Sequence, residues 1–184
     1  MITTIFRFFY ILVEIAEYFY DKTRKLNMKI AIYPGSFDPI TKGHVNIVER
    51  AAQLFDKVIT LVGVNVKKNN LFSEEERLEM VRLATAHIPN AEADTWHGLT
   101  VDYAVKHKGI AIIRGIRAVS DYEYEYQVAM TNSKMQPEIN TVLLFPDEKY
   151  SYLTSSLIRE LAQHGKEIED FIPDCVAEKL REKF

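Results

Sequence analysis

The chain has a single cysteine, Cys175, among 184 residues. That excludes an internal disulfide and a cysteine-built zinc site, and it suits a reducing compartment. No charge of either sign dominates: 23 basic residues against 26 acidic ones leave a net charge of -3. The protein is therefore not built to coat nucleic acid, and any anionic ligand must be met by local cations. Long hydrophobic runs are also missing. The apolar stretch near the N-terminus, Phe8 to Val13, stops at Glu14, far short of the ~20 residues that span a bilayer. Neither glycine-rich phosphate signature, G-x-x-x-x-G-K-[ST] or G-x-G-x-x-G, occurs. His87, His97, His107 and His164 show no metal-ligand spacing and read as surface or helix-capping residues.

What is present starts with a segment unlike the rest. Residues 1–27, MITTIFRFFYILVEIAEYFYDKTRKLN, are dense in Phe, Tyr and Ile and almost free of turn chemistry. Glu14 and Glu17 interrupt the segment and no small-residue cleavage site follows, which argues against a signal peptide. Met28 opens MKIAIYPGSFDP, a natural place for a polypeptide to begin. The expectation is an over-long start or dispensable extension over 1–27, followed by one domain over 28–184. The alternative is a helix that docks on a partner, on its own core or on a membrane surface.

After Met28 short apolar runs alternate with helical periodicity. Strands are expected at Lys29–Tyr33, Lys57–Val64, Ala91–Trp96, Ile110–Arg114 and Ile139–Phe145. Helices are expected at Gly43–Phe55, from a Ser73/Glu76 capping box onward, at Thr100–His107, Ser120–Met135 and Thr154–His164, and after Pro173. This alternation predicts an α/β fold: a Rossmann-like, doubly wound, five-stranded parallel sheet with helices on both faces. Ligands of such sheets bind beyond the carboxyl ends of the strands.

The segments after the strands are PGSFDP, NVKKNN, HGLT, RGIR and PDEKYSYLTSS, and four of the five carry hydroxyls or cations suited to phosphate. In Pro34–His44, Gly35 admits a close ligand, Ser36 offers a hydroxyl, and His44 falls at a helix start where anions are favoured. A purely structural turn, with His44 satisfied by a backbone carbonyl, is the competing reading. Arg114 leaves a buried strand and needs a partner if it points inward; an exposed strand-end arginine is the alternative. Lys68 belongs to a lysine pair that also reads as solvated surface. Thr154, Ser155 and Ser156 stack hydroxyls at a helix start with Arg159 one turn in, a phosphate site or simply a cap. Tyr122, Tyr124 and Tyr126 suit a subunit contact better than base stacking, and Asp38 suits turn chemistry better than a metal.

Three stretches, YPGSFDPITKGH, IRGIRAVSDYEYE and YSYLTSSLIRE, resemble in order the nucleotidyltransferase superfamily with the T/H-x-G-H signature, here Thr41-Lys42-Gly43-His44. The similarity is greatest to the bacterial phosphopantetheine adenylyltransferases and runs from about Met28 to the C-terminus. Ser36 stands where many members have threonine, Thr154 replaces a serine, and residues 1–27 have no counterpart. The resemblance implies that Ser36, Lys68, Thr100 and Arg114 contact 4'-phosphopantetheine. It implies that Ser36, Phe37, His44, Gly115, Ile116, Arg117, Glu125 and the segment Tyr150, Ser151, Tyr152, Leu153, Thr154, Ser155, Ser156 contact ATP, with His44 stabilising the transition state. It further implies Mg²⁺, a homohexamer, no nucleic-acid partner, and a cytoplasmic place in coenzyme A synthesis. A sibling transferase for another acceptor and a non-catalytic nucleotide-binding module are the other classes in play.

Overall fold

In the computed structural model the described residues are 28–64 and 69–184. The expectations for residues 1–27 and for Lys68 lie outside them. The strands are β1 (Ile30–Gly35), β2 (Lys57–Gly63), β3 (Ala91–Trp96), β4 (Gly109–Gly115) and β5 (Asn140–Leu144). The helices are α1 (Lys42–Ala52), α2 (Glu74–Thr85), α3 (Thr100–Lys106), α4 (Val119–Met135), α5 (Ser155–Gln163) and α6 (Asp174–Lys183), with a 3₁₀ turn at Glu148–Tyr150.

All neighbouring strands run parallel, in the order β3-β2-β1-β4-β5. From β1 in the middle of the sheet the chain winds outward through β2 and β3, then returns to the other side of β1 for β4 and β5. That is the doubly wound fold anticipated, and its order reverses between β1 and β4. Central strands buried on both faces explain why IAIY, VITLV and IAII read as near-continuous apolar runs. One face carries the larger core, Tyr33, Val62 and Ile113 against Ile47 of α1, Met80 of α2, Ile158 of α5 and Leu180 of α6. The other packs Ile32, Leu61 and Ile112 against Val101, Tyr103 and Ala104 of α3.

Two element ends differ from expectation in a way that shapes the site. β1 stays paired with β2 as far as Gly35↔Val62, but its pairing with β4 stops at Ile32↔Ile112. The two central strands therefore part at their carboxyl ends, and a crevice opens between Tyr33–Gly35 and Ile113–Gly115. The first helix stops at Ala52 rather than Phe55, and Leu54 is exposed on the turn that follows. Its apolar side chain fits the helical period but has no core to face.

Candidate active site

The crevice is a cleft of about 1020 Å³ at the carboxyl edge of the sheet. Ser36, Phe37, His44, Thr100, Arg114, Gly115, Arg117, Glu125, Tyr150, Leu153, Ser155 and Ser156 all line it. Residues spread over 120 positions of sequence thus meet in one cavity, as the strand-end rule requires.

Its floor is the turn after β1. Phe37 sits at φ 46°, a left-handed conformation uncommon outside glycine. Its buried ring fixes it there, edge-on to Tyr33 at 5.5 Å and to His44 at 5.3 Å. A Cβ on Gly35 would lie 2.7 Å from that ring, so the glycine makes room for the phenyl beneath the turn. Asp38 stands in the turn, as expected, but its side chain works at long range. Its buried carboxylate accepts from the amides of Leu71 (2.9 Å) and Phe72 (3.0 Å) and pairs with Arg159. One side chain therefore ties the β1 turn, the loop before α2 and helix α5 together.

His44 is the third residue of α1, and its ring does not meet a carbonyl. The Thr41 amide donates to His44 Nδ1 at 3.1 Å, and the His44 amide donates to Thr41 Oγ1 at 3.4 Å. This is a capping box with histidine in the place usually taken by Glu or Gln. Since Nδ1 accepts, the proton of the neutral ring is on Nε2. Burial, and then the positive charge of Arg117, push its pKa from 6.5 down to about 4. The ring at neutral pH is an uncharged hydrogen-bond donor on the cleft floor.

Arg114 found the partner that its place in a buried strand demanded. Its Nε and Nη2 donate to the two carboxylate oxygens of Glu125 at 2.5 and 2.9 Å. Glu125 is the buried residue of α4, whose exposed remainder includes Tyr122 and Tyr126. Arg117 forks onto Asp121 and donates from Nη1 to the Leu153 carbonyl at 3.3 Å. Both cations are thus oriented before any ligand arrives.

The far wall is the 146–156 segment. The Asp147 amide donates to Asn46 Oδ1 (2.8 Å), and Asn46 Nδ2 and Arg50 donate to the Asp147 carboxylate, so α1 holds this loop. Thr154 Oγ1 accepts from the Leu157 amide (3.0 Å) and Ser155 Oγ donates to the Pro39 carbonyl (2.8 Å). Two of the three hydroxyls are therefore spent on the cap and on the β1 turn. Ser156 is exposed in the cleft.

Four residues assigned to ATP by resemblance do not line the cavity. Ile116 is buried, with its amide on the Leu144 carbonyl (2.9 Å). Ser151 bonds back to the Glu148 carbonyl, Tyr152 lies outward against Phe171, and Thr154 is the cap. Conversely, Tyr33, Asp38, Asn69, Asn70 and His97 line the cleft without having been singled out for it. His97 stands at the rim, its Nε2 2.9 Å from Glu74. His107 and His164 are helix C-caps and His87 pairs with Glu49 at an exposed position, as histidines without ligand spacing should. Tyr124 differs from its neighbours Tyr122 and Tyr126 in facing the cleft.

A parallel sheet that parts at its switch point, over a helix N-terminus ringed by arginines, defines a nucleotide-binding α/β domain. The chain belongs to the cytidylyltransferase-like family, whose profile matches residues 32–161. It is 52% identical over 157 residues (85% of this chain, 98% of the relative) to a protein of Caldanaerobacter subterraneus subsp. tengcongensis named phosphopantetheine adenylyltransferase. It is 53% identical over 154 residues (84% and 96%) to one of the same name from Dictyoglomus turgidum. In fold it is similar to a crystal structure from Vibrio parahaemolyticus titled as that of a "putative nicotinate-nucleotide adenylyltransferase". There the TM-score is 0.64 at 19% identity, covering 85% of this chain and 94% of that one.

Proposed function

We propose that this protein is a pantetheine-phosphate adenylyltransferase, which transfers the adenylyl group of ATP to 4'-phosphopantetheine and yields dephospho-coenzyme A and pyrophosphate. The observation that carries the reading is the neutral His44 donor at the start of α1, set in one cleft with Ser36, Arg114 and Arg117. The identity over nearly the full length of relatives bearing that enzyme name supports the choice of acceptor.

The chemistry asks little of the protein in proton transfer. The acceptor phosphate is an anion at neutral pH and needs no general base. One of its oxygens attacks the α-phosphorus of ATP in line, a new P–O bond forms, and the bond to the β-phosphate oxygen breaks with its electron pair leaving on pyrophosphate. Catalysis is then positioning and charge stabilisation. His44 Nε2–H donates to the α-phosphoryl oxygens as they gain electron density, beside the positive end of α1. Arg114, with Lys68, receives the acceptor phosphate, with Ser36 and Thr100 alongside. Arg117, Gly115 and the cleft-lining Tyr150, Leu153, Ser155 and Ser156 receive ATP.

Magnesium enters this scheme as part of the nucleotide substrate. Among the described residues no three His, Cys, Asp or Glu side chains are grouped to hold a metal, and the cleft carboxylates Asp38 and Glu125 are already engaged. Mg²⁺ keeps several waters and binds readily through phosphate oxygens, so the triphosphate is its natural ligand here. The proposed homohexamer draws on the exposed Val119, Tyr122, Tyr126 and Met130 of α4, an apolar face that another copy of the chain would cover. A cytoplasmic setting accords with the lone cysteine, and no helix among the described residues is long and apolar enough to cross a membrane. The test is pyrophosphate release from ATP with phosphopantetheine, compared with nicotinate mononucleotide. Release with the first acceptor alone is expected. Release with the second alone overturns the assignment in favour of a sibling transferase, and release with neither reduces the protein to a binding module.

A further inference from the structure

Arg77, in the first turn of α2, is only 2% exposed. None of the ion pairs among the described residues includes it. A buried guanidinium of this kind is costly unless its donors are satisfied and its charge serves something. The bonds it makes among the described residues all go to backbone carbonyls: Nη1 to Ser36 (2.7 Å) and Gly63 (3.3 Å), Nε to Ser73 (3.3 Å). Those carbonyls belong to the turn after β1, the end of β2 and the N-cap of α2, and the first two, Ser36 and Gly63, line the cleft.

The bond to Ser36 has a geometric consequence. Among the described peptide bonds only Asp38–Pro39 is cis, so the Ser36–Phe37 unit is trans. In a trans peptide the carbonyl of one residue and the N–H of the next point in opposite directions. Pinning the Ser36 carbonyl onto Arg77 therefore turns the Phe37 amide away from it. That amide donates to no group among the described residues. Phe37 lines the cleft and is buried as a whole residue, so its unpartnered amide is a buried donor that a ligand in the cleft would satisfy. The left-handed φ of Phe37 also favours a concave arrangement of amides that receives anions.

We propose that Arg77 is a positioning residue for phosphoryl transfer: it locks the Ser36–Phe37 peptide so that the Phe37 amide faces the cleft as a phosphate donor, and its buried charge finds its counter-ion in the substrate phosphates. This rests on the adenylyltransferase reading of the same cleft and names a residue outside the three stretches that carried the family resemblance.

The test has two arms. In ¹⁵N-labelled wild-type protein titrated with inorganic pyrophosphate, the Phe37 amide resonance shifts and saturates. In kinetics, Arg77→Met lowers turnover about 10²-fold with a smaller change in KM for ATP, and Arg77→Lys regains part of the loss. A residue that is only structural lowers the thermal midpoint of Arg77→Met yet leaves kcat and KM unchanged wherever the variant is folded; that result overturns the proposal. So does a Phe37 amide indifferent to saturating pyrophosphate. If Arg77→Met does not fold, the lysine variant and the wild-type titration decide. Wild-type protein that binds pyrophosphate at Phe37 but makes no product overturns the functional reading and with it the catalytic part of this inference, while the Phe37 amide stands as a phosphate donor.

Discussion

Arg114 and Glu125 meet as a two-bond fork, joining the end of β4 to the face of α4 directly behind the cleft. The pair lets a cation stand at the end of a buried strand and fixes its direction. Glu125→Gln should leave that cation poorly matched and cost roughly 1.5–3 kcal/mol of folding stability. The double variant Arg114→Met/Glu125→Gln should cost less than the sum of the single changes. A urea-unfolding cycle measures this, and strict additivity would show that the two side chains do not act together.

Removing Arg114 should also read out at the substrate. With the acceptor phosphate assigned to Arg114 and Lys68, Arg114→Ala and Lys68→Ala should raise the KM for phosphopantetheine or lower kcat. The affinity for ATP without acceptor should change little. Charge-assisted contacts worth roughly 1.5–3 kcal/mol correspond to about a 10- to 150-fold effect on acceptor use. Loss of ATP binding alone, by calorimetry, would reverse the assignment of the two substrates.

His44 holds a cap and faces the reaction at once, and two substitutions separate the roles. His44→Ala removes both, so it should lower turnover ~10²–10³-fold and weaken α1 by about 0.5–2 kcal/mol. His44→Gln keeps an acceptor for the Thr41 amide, since Gln serves at this capping-box position. It should retain most of the stability while losing most of the turnover. A glutamine variant with wild-type kcat would mean that the ring matters only to the helix.

The pH dependence of that ring has a definite sign. Its pKa in the folded protein, about 4, lies below the ordinary 6.5, so the unfolded chain takes up a proton that the native state refuses. The associated stability is complete above pH 6.5 and is lost as pH falls toward 4. Over that window wild-type protein should lose stability relative to His44→Gln. The His44 ring resonances in ligand-free protein should titrate below pH 5.5, and ATP should raise the midpoint because added negative charge favours the imidazolium. A free-protein midpoint at or above 6.5 would contradict the neutral donor.

The strand-helix order, the Ser73/Glu76 cap and the gathering of strand ends were legible in the sequence because each rests on local periodicity or on a topological rule. What escaped rests on contacts distant in sequence or on unusual residue choices. Arg77 stands within SEEERLEMVRL, where charges read as a solvated helix face, and nothing local tells that its turn lies beneath Ser36. The Thr41–His44 box was hidden because its third residue is histidine. Asp38 reads as a turn former next to Pro39, yet its partners are Leu71, Phe72 and Arg159.

Gly35 and Gly43 flank the cleft floor and should respond oppositely to the same change. A Cβ at Gly35 would sit 2.7–3.0 Å from the Phe37 ring, and that ring, wedged between Tyr33 and His44, has nowhere to retreat. Gly35→Ala should therefore lower stability by about 1–3 kcal/mol and impair turnover through the displaced His44. A Cβ at Gly43 would meet Thr41 and Tyr150 only at 3.5 Å, an ordinary contact. Gly43 is also the second residue of α1, where alanine is the better helix former by up to ~1 kcal/mol. Gly43→Ala should thus be as stable as wild type or slightly more so. The open space beside Gly43 belongs to the cleft, so the added methyl should instead raise the KM for ATP. Thermal midpoints and ATP kinetics of the two variants check this together. A destabilised Gly43→Ala would show that the glycine serves the fold, and one with unaltered ATP use that it does not serve the nucleotide.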